Sequence, residues 1–310
     1  MRDFYLRWWR GSEPVVGMEV RDDVVLCAQS TTRTAAQESS KRFSIPLPLG
    51  VVENGRMRDP LRLVSSLRDS LELSQLSGCR CAVAIPANAT FSAQLAVPDD
   101  VVFTNEGEAC EWALTRLSFD PSYVCGKVYL DESDFDSGRR LLVVATKRSV
   151  QEMFREVFEA VGLEFSCLTL RSLALHKGAA MLPRHLRKTG TVWVDLTDRS
   201  AALHLFEGEK LLFSRYLNAG LSGDTELSIT RLISELGELD VSRYAKGEVA
   251  ILCAGPEAVV RQFTTAWSDA TPLRRGPLSV LVSGEGGFED RYCDPYLIAE
   301  GLVHMLRESP

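Results

Sequence analysis

VVGMEVRDDVVLCAQ, residues Val15 to Gln29, reads as two apolar runs, Val15–Val20 and Asp23–Gln29, joined by a tight polar turn at Arg21-Asp22. Each run is too short for a helix and rich in valine, so the pair predicts a strand–turn–strand unit. The same opening recurs later. Thr191–Leu196 (TVWVDL), Ala201–Phe206 (AALHLF) and Lys210–Ser214 read as three strands with short turns, the second at Glu207-Gly208-Glu209. Both halves then continue into helical patterns. A duplicated layout of this kind predicts two similar α/β lobes, each a sheet covered by helices, facing a cleft.

Working outward, residues 31–42 are polar and predict a loop, and Leu61, Val64, Leu67 and Leu71 recur at helical spacing. Cys81–Pro86 (CAVAIP) is a strand, 88–140 is irregular and mixed with a short helix at Glu108–Leu117, and Leu141–Thr146 (LLVVAT) is a buried strand. Val150, Met153, Phe154, Val157, Phe158 and Val161 then form one continuous apolar helix face. Ser149 with Glu152 reads as its capping box and Gly162 as its stop. In the second half, Ile229, Leu232, Ile233 and Leu236 mark a helix, followed by the strand Val249–Ala254, a helix from Glu257 and a last helix over Leu297–Leu306.

The bulk properties narrow the function. The chain has 310 residues, 45% hydrophobic and 25% charged, enough for two cores. Its net charge of −7 argues against a general nucleic-acid binder. No apolar run is long enough to span a bilayer, and the first residues lack the layout of a secretory signal, so a cytoplasmic home is expected. The 8 cysteines are scattered through apolar segments without a C-x-x-C pair, which predicts reduced core residues and no zinc or other metal site. Four histidines (176, 185, 204, 304) stand far apart; His176 and His185, beside Lys177, Arg184, Arg187 and Lys188, read as a solvated helix terminus or a basic patch. No G-x-S-x-G is present, so a hydrolase is disfavoured. Residues 1–14 (MRDFYLRWWRGSEP) form an aromatic and basic leader, in which Phe4, Trp8 and Trp9 suit contact with a membrane surface or folding back on the domain.

Several short stretches, in order, resemble the actin-like proteins of type IV pilus and type II secretion machines, the PilM, MshI and GspL type. Val16-Gly17-Met18-Glu19-Val20 is similar to the family's first strand, and Leu47–Gly55 (LPLGVVENG) to its "LP-x-G-x-I-x-D-G" stretch. Ala82–Pro86, Ala160–Phe165, Gly190–Leu196, Phe213–Gly220 and Ala299–Leu302 resemble its later motifs. The resemblance implies an actin-like, two-lobed fold with ribonuclease H-like duplicated lobes. It implies a first lobe from 15–87 plus 161–188, a small α/β module inserted at 88–160, and a second lobe at 189–310 whose own insertion, 221–248, is pared down.

In that family two hairpin turns cradle the phosphates of a nucleotide, because glycine lets backbone N–H groups approach the oxygens, while an acidic residue orients magnesium. On this chain the family's Asp falls on Glu19, its Gly on Arg21 and its hydroxyl residues on Asp22 and Asp23. A carboxylate about 4 Å from a phosphate charge costs about 4 kcal/mol at a near-surface dielectric. The second turn keeps Asp195 and Thr197 but has Asp198 in place of Gly; the third keeps Gly255 only, and Gly284–Gly287 (GEGG) reads as a plain loop. A degenerate pocket without cofactor is expected, the alternative being ATP with magnesium. Asp195 also has a simpler reading, as a turn cap or the partner of a neighbouring charge.

The resemblance therefore implies a non-enzymatic scaffold that binds the cytoplasmic tail of a PilN-like bitopic membrane protein, in a groove between the first lobe and the inserted module. Candidate walls are Ile85, Pro86, Phe91 and Leu95. An ATP-dependent switch of the same fold is the rival; a sugar or acetate kinase ranks last because intact phosphate loops are missing. Self-association stays open as a further partner mode.

Overall fold

The computed structural model describes residues 14–30, 40–53, 55–70, 75–85, 90–120, 122–131, 139–179, 190–196, 200–207, 210–218, 229–234, 249–254, 257–270, 278–281 and 296–308. The opening stretch forms β1 (Val15–Val20) and β2 (Val24–Ser30), antiparallel, with β3 (Ser40–Pro46) beside them. Two short strands, β4 (Val52–Glu53) and β5 (Arg56–Met57), lead into helix α1 (Pro60–Arg68), whose N-terminus is capped by Asp59. Strand β6 (Arg80–Ile85) pairs parallel to β1.

The inserted module follows: β7 (Phe91–Val97), α2 (Glu106–Arg116), β8 (Tyr123–Asp131) and β9 (Arg139–Lys147). Helix α3 (Arg148–Ala160) and β10 (Glu164–Leu170) return to the first lobe, and α4 (Arg171–Ala179) leaves it. The second lobe comprises β11 (Gly190–Leu196), β12 (Ser200–Glu207), β13 (Lys210–Asn218), β14 (Val249–Ala254), α5 (Glu257–Ala270) and β15 (Leu278–Leu281). Residues 229–234 are also helical. Helix α6 (Leu297–Glu308) comes last.

The duplication predicted from the two strand–turn–strand units holds at the level of sheet order. The first sheet runs β10-β6-β1-β2-β3 and the second β13-β12-β11-β14-β15. In both, three antiparallel strands adjoin two that run parallel. This is the actin-like architecture. Strand alternation sends residues to opposite faces. Val16, Met18, Cys27, Cys81, Val83 and Ile85 face α1 and α3 outside, with Leu63, Leu67, Phe154 and Phe158. Val15, Ala82 and Ala84 face the interior, against α4 and α6 and against Trp193 and Phe206 of the second sheet. The outer face of the second sheet, Val192, Val194 and Leu203, is covered by α5 and residues 229–234.

Several expectations need correction. The described residues of 88–140 are more regular than expected: they carry β7 and β8, which pair with β9 in a sheet of order β7-β9-β8 packed on α2. The module closes at Lys147, not at 160, because Phe154, Val157 and Phe158 of α3 belong to the first lobe's core. Helix α3 begins at Arg148 after Lys147, and no side chain caps it, so Ser149 and Glu152 form no capping box; Gly162 at φ 86° does end it. On α1 the inward residues are Leu63 and Leu67, while Leu61 is 83% exposed. Helix α6, expected in the second lobe, lies on β1, β2 and β6 of the first and against α4.

Two glycines permit that placement. A Cβ on Gly17 would run into the Ala299 carbonyl oxygen of α6, and one on Gly301 into the Ala174 carbonyl oxygen of α4. These are backbone atoms, so relief requires the helices to separate. Gly301→Ala is expected to destabilise the protein by about 1–3 kcal/mol despite alanine's better helix propensity. Thermal unfolding checks this; an unchanged or raised Tm would show that α6 has room to shift.

Candidate functional site

The site lies where the two lobes meet. Glu19 near the end of β1 and Asp195 near the end of β11 occupy matching places in the duplicated sheets. Both side chains are buried. Glu19 accepts two hydrogen bonds from the Arg21 guanidinium, Nε to Oε1 at 2.8 Å and Nη2 to Oε2 at 3.0 Å. A second guanidinium, that of Arg171 at the start of α4, stands 3.0 Å from Glu19 Oε1 and, through Nη2, 3.2 Å from Asp195 Oδ1. Both Arg171 contacts are at ion-pair distance without hydrogen-bond alignment, as Arg171 Nε and Asp195 Oδ1 have no hydrogen-bond partner among the described residues.

The electrostatics follow from burial and charge. Burial pushes the Asp195 carboxyl above its ordinary range; Arg171 pulls it back, Glu19 adds to the rise, and Arg21 opposes it. Burial works against the Arg21 charge, but the Glu19 carboxylate outweighs it and holds that guanidinium above its usual pKa. Two carboxylates and two guanidiniums balance formally. Breaking such a buried set by removing one member leaves an uncompensated charge, which costs about 3–5 kcal/mol.

Of the residues picked out by sequence, Glu19, Arg21 and Asp195 are brought together, and Asp195 pairs with a neighbouring charge as its simpler reading has it. Asp22 turns away, accepting from Gly55 N at 3.2 Å. Thr197, Asp198 and Gly255 lie outside the described residues, as do Pro86, the GEGG loop, His185 and the leader with Phe4, Trp8 and Trp9. Arg171 was missed. Its signal is a lone charge in the otherwise uncharged, largely apolar run from Cys167 to Leu175. His176 is only partly exposed: its ring stacks on Phe206 at 4.0 Å between centroids, bridging α4 and β12.

A second feature opens between the first lobe and the module. A small cavity is lined by Ile85 and Thr90, by Val144 and Thr146 of β9, and by Leu168, Thr169 and Leu170 of β10. Of the four expected groove residues, Ile85 lines it. Leu95 packs into the module's own core instead, because it points toward α2 with Val97, Leu141 and Val143. Phe91 is 39% exposed and meets Phe119 edge-on at 4.7 Å, which in turn stacks on Tyr123 at 4.3 Å. Among the described residues there is no group of acidic, histidine or cysteine side chains fit to hold a metal, and no helix is long and apolar enough to cross a membrane.

With this geometry in hand, the likenesses to known proteins can be placed. The class is defined by the fold: an actin-like, two-lobed α/β protein. A solved PilM-PilN type IV pilus biogenesis complex contains a chain similar over 95% of this one and 98% of its own, with a TM-score of 0.70 and 18% identity. A Bacteroides thetaiotaomicron protein with an actin-like ATPase fold and unknown function matches at a TM-score of 0.56 and 9% identity, over 96% and 98% of the chains. The cytoplasmic domain of EpsL, an inner membrane component of the Vibrio cholerae type II secretion system, matches at 0.50 and 10% identity, over 94% and 95%. No family model matches the chain, and no curated protein matches it by sequence.

His204, paired with Trp193 across β11 and β12, tests the interior of the site. Its Nδ1 lies 3.0 Å from Ser214 Oγ. Burial, reinforced by Arg171, drives its pKa from 6.5 down to about 3. The folded state therefore stays neutral while the unfolded chain takes up a proton, so stability is present above pH 6.5 and lost as pH falls toward 3. The loss is up to about 1.4 kcal/mol per pH unit for this group. Urea unfolding of wild type and His204→Gln between neutral pH and pH about 4 is expected to show a shallower acid slope in the variant. Equal slopes would mean that His204 ionises in the fold.

Proposed function

We propose that this protein is a cytoplasmic scaffold peripheral to the inner membrane, a component of a pilus or secretion assembly platform. In this reading it holds the cytoplasmic tail of a PilN-like bitopic membrane protein and does not turn over nucleotide. The observation that carries the reading is Arg171: its guanidinium stands between Glu19 and Asp195, where a nucleotide-binding relative would need room for phosphate and cation. A pocket whose acidic residues already have cationic partners leaves those carboxylates engaged rather than open as metal ligands. Support for the machinery comes from the likeness to the PilM chain, which extends over nearly the full length of both proteins. Support for a peptide ligand comes from the cavity at Ile85, Val144 and Thr169, which is apolar with a few hydroxyls and sits between two rigid sheets. An extended tail gains main-chain hydrogen bonds there and inserts an aliphatic anchor. Phe91, on its exposed aromatic stack, is a candidate contact at the module's rim.

Two measurements separate this reading from its rival. Thermal unfolding with and without Mg-ATP is expected to give the same Tm. Tight binding would stabilise the protein by about 2.7 kcal/mol at a hundredfold excess over Kd, and a clear upward shift would restore the ATP-dependent switch. Titration with a peptide of the tail of a PilN-like protein from the same cell is expected to show binding that Thr169→Trp weakens at least about tenfold by filling the cavity. No binding by wild type, or equal binding by the variant, would remove the groove from the proposal. Flotation with anionic liposomes, comparing wild type with a Trp8→Ala and Trp9→Ala double variant, tests the leader's membrane contact.

A further inference from the structure

We infer that Arg171 is an interlobe clasp, a resident cation that fixes the separation of the two sheets without any ligand. The inference concerns the resting geometry of the molecule and stands whether or not a partner tail binds.

The geometry is specific. Arg171 follows directly on β10 of the first sheet and opens α4, so its backbone is anchored in the first lobe. Its guanidinium reaches Glu19 on the central strand of that sheet at 3.0 Å and Asp195 on the central strand of the other at 3.2 Å. The side chains of Arg171, Glu19 and Asp195 are 5%, 0% and 5% exposed, so solvent does not screen the contacts. Arg21 binds both oxygens of Glu19, sharing Oε1 with Arg171, and keeps that carboxylate from swinging away.

Among the described residues an apolar layer also joins the lobes. Leu173, Ala174, Trp193, Phe206, Ala299 and Leu302 belong to it, and His176 stacks flat on Phe206. Apolar packing is non-directional, and packed helices slide on one another in shear motions. A guanidinium with carboxylates on two sides fixes one arrangement, which is the use of buried charge that best survives its desolvation cost. In a fold whose lobes are joined by two inner helices, this contact sits at the symmetric point where each sheet's first strand ends. Arg171 is thus a positioning residue: it acts on the angle between lobes.

Hydrogen–deuterium exchange of the full chain, read by mass spectrometry, tests this. Arg171→Met is expected to speed exchange about tenfold in peptides covering the β1–β2 turn and the end of β11, one in each lobe, while α1 and α5 on the outer faces keep wild-type protection. Arg171→Lys, which retains a point charge without the two-sided fork, is expected to fall between. Unchanged exchange, a rise confined to residues 171–179, or a uniform rise that includes α1 and α5 would overturn the inference. Arg171→Met leaves Asp195 without its cation while Glu19 keeps Arg21, so a charge-balanced double variant, R171M with D195N, guards against loss of folding. It is expected to fold and to show the same fast exchange on both inner strand ends. Wild-type exchange in the double variant would show that the Arg171–Asp195 charge contact has no part in holding the lobes.

Discussion

Carboxylates cannot be buried alone, and this structure is arranged around that constraint. Glu19 is fully buried at the end of the first sheet's central strand. In water-free surroundings its charge requires partners, and it finds two guanidiniums from different parts of the chain. One of them also serves Asp195 of the other lobe. The need to satisfy a charge thus becomes a distance constraint between two domains. The net free energy gained is small, because desolvation opposes attraction, but the arrangement excludes others. The same layer holds His204 neutral: burial and a nearby guanidinium both act against its protonation.

On the proposed reading the charge between the lobes belongs to the chain itself, through Arg171, so the approach of the two sheets needs no ligand. The module's sheet touches β13 of the second lobe as well as its own lobe.

Much of this was legible in the chain. The valine-rich hairpin at Val15–Gln29 and its echo at Thr191–Phe206 foretold the duplicated sheets, because short β-branched runs with polar joints have few other uses. The apolar stripe from Val150 to Val161 foretold α3. Glu19, Arg21 and Asp195 came from the resemblance, as the positions on which the family's phosphate-site residues fall. What escaped was long-range. Leu95 read as a groove wall because apolar character does not say which face of a sheet is covered; α2, recognised only as a short helix, supplies the cover. Strands β7 and β8 mix polar and apolar residues, so neither periodicity stood out. Arg171 was passed over because its partners are distant in sequence. His176 was read as solvated because a histidine near lysine and arginine looks exposed until Phe206 is placed against it.

The placement of α6 has a consequence for biosynthesis. This helix covers the inner face of a sheet whose strands were made much earlier, and Gly17 admits it within backbone contact. During translation the first sheet can close its outer layer with α1 and α3 as soon as they emerge, since domains fold as units from the N-terminus. Its inner surface, with Val15, Ala82 and Ala84, gains α4 early but must wait for residues 297–308 to be fully covered. The nascent first lobe is therefore half-dressed until the ribosome has delivered the second, and a chaperone engaging that uncovered surface would have the whole synthesis of the second lobe in which to act.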